Sequence, residues 1–179
     1  MAGDELKSLT TLANLLTLCR LLTIAPLYVT VIHGLWFSAC SLFLLAIFSD
    51  LLDGKIARAR NEATVLGGFF DHATDALLVT VGCLALTQLD LINPWLVALI
   101  PAAFIQYALD SKTLAGRTLR TSSIGKANGI AYFALLGIGI GGLTLQSPLL
   151  LAGSDLLAWC LTVTTVLSMA DRLLALRQP

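Results

Sequence analysis

Long apolar stretches alternate with short polar connections along the chain. A bilayer core about 30 Å thick requires about 20 mostly apolar residues per helix. Six stretches meet this pattern: Leu15–Ile32, Trp36–Leu52, Leu66–Leu86, Leu91–Leu109, Ala127–Leu145 and Leu149–Met169. The pattern therefore predicts an all-α fold, a six-transmembrane-helix bundle.

The amino-terminal segment has a different pattern. Leu6, Leu9, Leu12 and Ala13 follow helical spacing among polar residues, which predicts a short N-terminal amphipathic segment over residues 1–13 on the membrane surface. No long repeat, linker or low-complexity tract divides the rest. We expect residues 1–179 to form a single membrane domain.

Composition agrees with a lipid environment. Apolar residues make up 57% of the chain and charged residues 12%, against roughly 25% charged residues in soluble proteins. The formal net charge is zero, so there is no basic excess to indicate a nucleic-acid partner. The four cysteines form no CxxC pair, and neither a zinc site nor a disulfide framework is expected.

The basic residues fall on alternate connections. The connections at 33–34, 88–94 and 146–148 contain no Lys or Arg, and all eleven basic residues lie toward the opposite face. The positive-inside rule then places both termini and the basic loops in the cytoplasm. Topology is a sufficient account of Lys7, Arg172 and Arg177, but it does not account for the acidic residues.

Two pairs of aspartates lie on that same face. Asp50 and Asp53 are three residues apart at the end of the second stretch, and Asp71 and Asp75 are four apart near the start of the third. Each pair shares a helix face, and the pairs can face each other. Ionised carboxylates at membrane depth cost at least about 2.5 kcal/mol each, so bound positive charge is expected. Oxygen ligands favour Mg²⁺, Mn²⁺ or Ca²⁺, and two divalent ions balance four carboxylates.

Small residues surround these acids. Gly54, Ala57 and Gly67 leave room for the close approach of a nucleotide or a neighbouring helix. Arg58, within two turns of Asp53, suits a diphosphate oxygen. Together the residues indicate a phosphoryl-transfer type of site.

The spacing Asp50-x2-Asp53-Gly54-x2-Ala57-Arg58-x8-Gly67-x3-Asp71-x3-Asp75 resembles the signature of the CDP-alcohol phosphotransferase (CDP-alcohol phosphatidyltransferase) family at every fixed position. The motif covers residues 50–75, and the count of six helices extends the likeness to the whole chain. The resemblance implies a six-helix membrane fold, frequently a homodimer, with a polar cavity open to the cytoplasm. A bacterial inner membrane is the expected location.

The resemblance also implies roles by position. It makes Asp75 the general base, which takes a proton from an acceptor hydroxyl that attacks the CDP-linked donor and releases CMP. The implied ligands of two Mg²⁺ or Mn²⁺ ions are Asp50, Asp53, Asp71 and Asp75. The implied lining of the CDP pocket is Asp53, Gly54, Ala57, Arg58 and Gly67.

Basic residues near the motif are candidates for binding a phosphate of the acceptor: Arg20, Arg117, Arg120 and Lys126. For the two loop arginines, an ordinary positive-inside loop is an equal alternative. Arg20 lies inside an apolar run and needs a partner, either a substrate phosphate or a carboxylate such as Asp50, unless it snorkels to the interface. Gly125-Lys126 resembles a feature of relatives that use glycerol phosphate.

Two further features bear on the acceptor. The order Asn14-x2-Thr17-x2-Arg20-x5-Pro26 resembles the opening of phosphatidylglycerophosphate and cardiolipin synthases. However, His72 and Ala76 stand where phosphatidylglycerophosphate synthases typically carry Pro and Lys, so the acceptor stays open. His72 can contact the acceptor or be simply solvated. Asp155, far in depth from the motif, is a candidate for pairing across a subunit contact.

We therefore expect a membrane transferase that moves a phosphatidyl group from a CDP-linked lipid donor, CDP-diacylglycerol, to a small polar alcohol such as glycerol 3-phosphate. Inositol phosphate, serine and a CDP-headgroup donor remain alternatives. A cation transporter is a different class, because carboxylates in helical bundles also mark ion pathways. The acids cluster at one face, however, which disfavours it. A noncatalytic lipid-binding subunit is disfavoured by the complete motif.

Overall fold

The computed structural model describes residues 12–59, 65–110 and 123–175, with side chains over 15–52, 67–109 and 123–174. These ranges contain six α-helices and no strand: α1 Leu12–Ile32, α2 Trp36–Ala59, α3 Val65–Gln88, α4 Trp95–Asp110, α5 Ser123–Thr144 and α6 Pro148–Ala175. The predicted all-α class is confirmed. Residues 1–11 of the predicted amphipathic segment lie outside the described part, as do Arg117 and Arg120.

Four of the helices are long and apolar enough to cross a membrane, through Leu15–Ile32, Gly67–Gln88, Ser123–Thr144 and Pro148–Leu174. The apolar parts of the other two, Trp36–Leu52 and Trp95–Leu109, are shorter. Large apolar side chains point outward on many turns, among them Phe37 and Leu149. A surface this apolar requires lipid, and the chain is an integral membrane protein.

Several helix boundaries differ from the predicted ones, and α6 runs to Ala175 rather than ending at Met169. α2 ends at Ala59 rather than at Leu52, so the backbone of the motif from residue 53 to residue 58 continues the helix. α4 begins at Trp95, because Asn93 Oδ1 accepts a hydrogen bond of 3.2 Å from the Trp95 amide and caps the first turn. α5 begins at Ser123, which places Gly125 and Lys126 in a helical first turn.

The helices pack in two groups of three, α1 to α3 and α4 to α6. α3 connects the groups by contacting α4 and α5, and α5 also contacts α2. α1 packs against α2 and α3, while α6 packs against α5 and α4. Fully buried leucines fill the centre, including Leu27 on α1, Leu78 and Leu86 on α3, and Leu135 on α5. Because α2 and α3 both pack against α1, polar residues at the same end of these three helices are brought together around α1.

Glycines allow α3 and α5 to approach closely. A Cβ atom added at Gly139 would lie 2.7 Å from Leu86 Cδ1, and Leu86 is fully buried. A Cβ atom at Gly82 would similarly lie 2.7 Å from Cδ1 of the buried Leu136. Small residues at such crossings let helices in membranes approach to van der Waals contact.

Gly139→Ala is therefore expected to destabilise the bundle by about 1–3 kcal/mol, because the new methyl group overpacks a site where Leu86 cannot withdraw. Thermal unfolding of the detergent-solubilised protein measures the effect. Gly141→Ala is the matched control on the same helix, since nothing lies within 4 Å of a Cβ atom at Gly141. Equal unfolding temperatures for the two variants would contradict the packing argument.

Candidate active site at the ends of three helices

Arg20 is the centre of the acidic group. Its side chain is 0% exposed, although it lies inside the apolar α1. Its Nη1 donates hydrogen bonds to Asp71 Oδ1 at 2.7 Å and to Asp75 Oδ1 at 2.8 Å. Its Nη2 lies 3.2 Å from Asp50 Oδ1. Of the partners that the sequence left open for Arg20, the structure shows carboxylates, and among the described side chains these are Asp50, Asp71 and Asp75.

The aspartates are more open than the arginine. The exposed fraction of the side chain is 33% for Asp50, 28% for Asp71 and 20% for Asp75. Ser49, buried beside Asp50, accepts a 3.4 Å hydrogen bond from Arg20 Nε and donates one of 2.8 Å to the Ala46 carbonyl. The guanidinium thus lies on the buried side of the carboxylates, and the carboxylates are partly open to the outside of the bundle.

The structure brings together one member of the first aspartate pair and both members of the second. Asp50 on α2 faces Asp71 and Asp75 on α3 through Arg20, as the helical spacing predicts. Gly67 lies one turn before Asp71 on α3. The side chains of Asp53, Gly54, Ala57 and Arg58 fall outside the described residues, although their backbone belongs to α2.

A cavity of about 380 Å³ opens beside the carboxylates, between α3, α4, α5 and α6. Asp50, His72 and Asp75 line one part of it. Its remaining walls are largely apolar, with residues such as Val79, Ile100, Phe104, Ile130 and Phe133. A cavity with an acidic part and apolar walls suits a ligand that has both a charged and an apolar portion.

Two cations also line this cavity. Lys126, which the sequence indicated, is exposed in the first turn of α5, and Arg172 lies near the end of α6. The Arg172 guanidinium sits 5.0 Å from the centre of the Tyr107 ring. The His72 ring meets the same tyrosine edge-on at 6.2 Å. These contacts place Arg172 at the cavity, a position that assigning it to topology alone did not predict.

A buried polar layer connects α5 and α6 along the cavity wall. Tyr132 and Thr165 share a hydrogen bond of 2.5 Å, and Asn128 Nδ2 donates to Thr165 Oγ1 at 3.4 Å. Thr164 Oγ1 in turn donates to Asn128 Oδ1 at 2.9 Å. Mutually satisfied polar side chains of this kind fix the relative rotation of two helices, and so they fix where Lys126 and Arg172 stand.

The donor set fits a hard divalent cation. One ligand atom each from Asp71, His72 and Asp75 can be chosen so that all lie within 4.8 Å of one another, and Asp50 approaches the same group through Arg20. The carboxylate oxygens suit Mg²⁺ or Mn²⁺, and the imidazole nitrogen adds a softer ligand of the kind that transition metals accept. His72 is a ligand candidate that the sequence did not single out, since a lone histidine at an interface is usually just solvated.

Asp155 belongs to a different region. It lies near the start of α6, seventeen residues and thus about 25 Å along the helix from Arg172. Among the described residues it has no side-chain hydrogen bond or ion pair, and it is half-buried. It therefore takes no part in the acidic group.

The apolar helices and the acidic cavity define an integral membrane protein with a site built from several aspartates. A family model described as CDP-alcohol phosphatidyltransferase matches residues 10–171. The chain belongs to this family. The family resemblance of residues 50–75 is confirmed and extends over nearly all of the sequence.

Several curated relatives share part of the chain. A CDP-diacylglycerol--glycerol-3-phosphate 3-phosphatidyltransferase of Pseudomonas fluorescens is 35% identical over 51% of this chain and 47% of its own length. A protein of that name from Bacillus subtilis is 41% identical over 33% of this chain and 31% of its own. A "Probable cardiolipin synthase (CMP-forming)" of Drosophila melanogaster is 31% identical over 54% and 30%. The matched segments span less than half the length of each relative.

Proposed function

We propose that this protein transfers a phosphatidyl group from CDP-diacylglycerol to a small polar alcohol and releases CMP, with glycerol 3-phosphate as the first candidate acceptor. One observation carries the proposal. Motif carboxylates of α2 and α3 line the same cavity as two cations, Lys126 and Arg172. Such a cavity offers an acidic part for catalysis and a basic part for an anionic substrate.

Asp75 acts as the general base. Its carboxyl group lines the cavity and keeps a fifth of its surface open, so an acceptor hydroxyl can reach it. The acceptor oxygen, having given its proton to Asp75, forms a bond to the β-phosphorus of the donor. The bond from that phosphorus to the bridging oxygen breaks, and CMP leaves with that oxygen and the electron pair.

The motif residues also bind the metal ions and the CDP group of the donor. Asp50, Asp53, Asp71 and Asp75 hold two Mg²⁺ or Mn²⁺ ions, and Asp53, Gly54, Ala57, Arg58 and Gly67 line the CDP pocket. Bound metal supplies charge neutralisation for the diphosphate and the leaving CMP. Asp50, Asp71 and Asp75 converge on the Arg20 guanidinium, and their closeness supports the assignment of these carboxylates to one metal site.

The acceptor binds at the basic part of the cavity. Lys126 and Arg172 both line the cavity, and the Arg172 guanidinium lies over the Tyr107 ring. An ammonium and a guanidinium suit a phosphate. Arg117 and Arg120, which the sequence indicates, are further candidates for binding this phosphate. The printed names of the bacterial relatives include glycerol 3-phosphate, which favours this acceptor over inositol phosphate or serine.

Six spans, one domain and a homodimer complete the proposal. The short apolar segments of α2 and α4 cross the membrane together with the four longer spans. Both termini and the active site face the cytoplasm of a bacterial inner membrane, because the lysines and arginines all lie at that end of the spans. Two observations argue against a cation transporter: the chain belongs to an enzyme family, and the motif aspartates cluster at one end of the helix bundle.

A direct assay tests the proposal. The purified protein in detergent is expected to release CMP from CDP-diacylglycerol with Mg²⁺ or Mn²⁺ when an acceptor is added. Glycerol 3-phosphate and glycerol form a matched pair that differs only in the phosphate, and inositol phosphate and serine complete the panel. Preference for glycerol 3-phosphate over glycerol is expected from the two cations. A folded protein that releases no CMP with any acceptor would refute the CDP-diacylglycerol assignment.

A further inference from the structure

The contacts of Arg20 are unusual for a substrate-binding residue. A guanidinium that binds substrate phosphate keeps donors directed at open space, but Arg20 is fully buried and directs three nitrogens at side chains of the protein. Nη1 alone is shared by Asp71 and Asp75. The arginine thus engages one oxygen of each carboxylate that a metal ion would use.

The charges explain why the arginine is needed. Three carboxylates that converge among apolar helices repel one another and lose hydration, and both effects disfavour the ionised group. Arg20 supplies a positive charge within 3.2 Å of an oxygen of each carboxylate. Without such a charge, the ends of α2 and α3 would be driven apart in the metal-free protein.

We propose that Arg20 is an internal counter-cation of the metal-free site, which holds the three carboxylates in place until a divalent ion displaces its Nη1 from Asp71 and Asp75. The inference rests on the proposed function only in taking these carboxylates as metal ligands. Arg20 is then a positioning residue and not a ligand of the acceptor phosphate.

The geometry also shows what keeps Arg20 in place after the exchange. Its Nη2 contact to Asp50 and its Nε hydrogen bond to Ser49 are both made to α2. The two Nη1 hydrogen bonds are made to α3. Displacement from α3 therefore leaves the arginine attached to α2, so a metal ion can enter without exposing the guanidinium to lipid.

Manganese binding and thermal unfolding of the full chain in detergent test the exchange without any turnover. Free Mn²⁺ is measured by electron paramagnetic resonance, with no nucleotide present. Arg20→Met should bind Mn²⁺ about tenfold more tightly, because a competitor for the same oxygens is gone. In EDTA its unfolding temperature should fall by about 5 °C or more, and saturating Mn²⁺ should restore most of this loss.

Two variants distinguish the specific contacts of the Arg20 guanidinium from the effect of a positive charge alone. Arg20→Lys keeps the positive charge but lacks the several N–H donors with which the guanidinium bridges α2 and α3. In EDTA it should therefore be more stable than Arg20→Met and less stable than the unsubstituted protein. Arg172→Met removes an arginine that lines the cavity and stacks on Tyr107, and it should change Mn²⁺ affinity far less than Arg20→Met.

The proposal requires both the loss of stability in EDTA and the tighter Mn²⁺ binding. Unchanged or weaker Mn²⁺ binding by Arg20→Met overturns it, and so does an unchanged unfolding temperature in EDTA. Loss of CDP binding with unaltered Mn²⁺ affinity would make Arg20 a phosphate ligand instead. Absence of Mn²⁺ binding in the unsubstituted protein also overturns the exchange, whereas CMP release reports on the proposed function separately.

Discussion

Asp75→Asn is expected to lower the rate of CMP release by about 10³-fold or more. The substitution keeps the shape of the side chain but removes the carboxylate that accepts the acceptor proton, and general-base catalysis alone contributes about 10²–10⁴-fold. It also weakens a metal ligand. Arg20 keeps its contacts to Asp50 and Asp71, so the helices should remain together. Initial rates with saturating CDP-diacylglycerol, acceptor and Mg²⁺ measure the effect.

Asp90→Asn is the matched control for this experiment. Asp90 follows the end of α3, the helix that carries Asp75, and has a backbone φ of 56°. Asparagine adopts that left-handed conformation readily, so the same chemical change should leave both folding and the rate intact. If Asp75→Asn retained a rate close to that of Asp90→Asn, another residue would have to be the base.

Gly129→Phe is expected to reduce CMP release by about 10²-fold through blocking the cavity. Gly129 lines the cavity on α5, and nothing lies within 4 Å of a Cβ atom built there. The ring therefore enters space that the substrates require and does not strain the bundle. Misplacing a reacting group by about 1 Å can already cost 10²-fold in rate. Rates at several concentrations of donor and acceptor would show which of the two is excluded.

Gly141→Phe provides the comparison. Gly141 lies twelve residues further along α5, does not line the cavity, and likewise has nothing within 4 Å of its Cβ position. The two variants should unfold at similar temperatures, and only Gly129→Phe should show the reduced rate of CMP release. Equal activity of the two variants would show that this cavity is not the substrate site.

The acidic group illustrates how much local pattern can predict. Spacings of three and four residues place Asp50 with Asp53 and Asp71 with Asp75 on shared helix faces, and the short connection between the helices brings the pairs to one end. The structure confirms this for Asp50, Asp71 and Asp75. Helical periodicity and chain connectivity are local properties, so a sequence suffices to predict them.

Arg20 illustrates the opposite case. Its position in an apolar run required some partner, and carboxylate, phosphate and interface all remained open. The choice depends on residues 29 to 55 positions away, brought close by the packing of α1 on α2 and α3. No periodicity within α1 encodes that packing, so the three-way contact could not be predicted from the sequence.

His72, Tyr107 and Arg172 follow the same logic. His72 and Arg172 had ordinary explanations as solvated or topological residues, and Tyr107 carried no signal. Only the packing of α3, α4 and α6 around one cavity brings the two rings and the guanidinium together. A weak signal existed for His72, since it stands between two motif aspartates on adjacent turns.

The sequence by itself determined that the chain is helical, that it lies in a membrane, and that it carries the aspartate motif of its family, because these depend on apolar length, helical period and residue spacing. Tertiary structure alone decided that Arg20 joins three carboxylates and that Lys126 and Arg172 line the same cavity as Asp50 and Asp75. Contacts between distant helices depend on how whole side-chain surfaces fit together, and that fit is a property of the packed bundle.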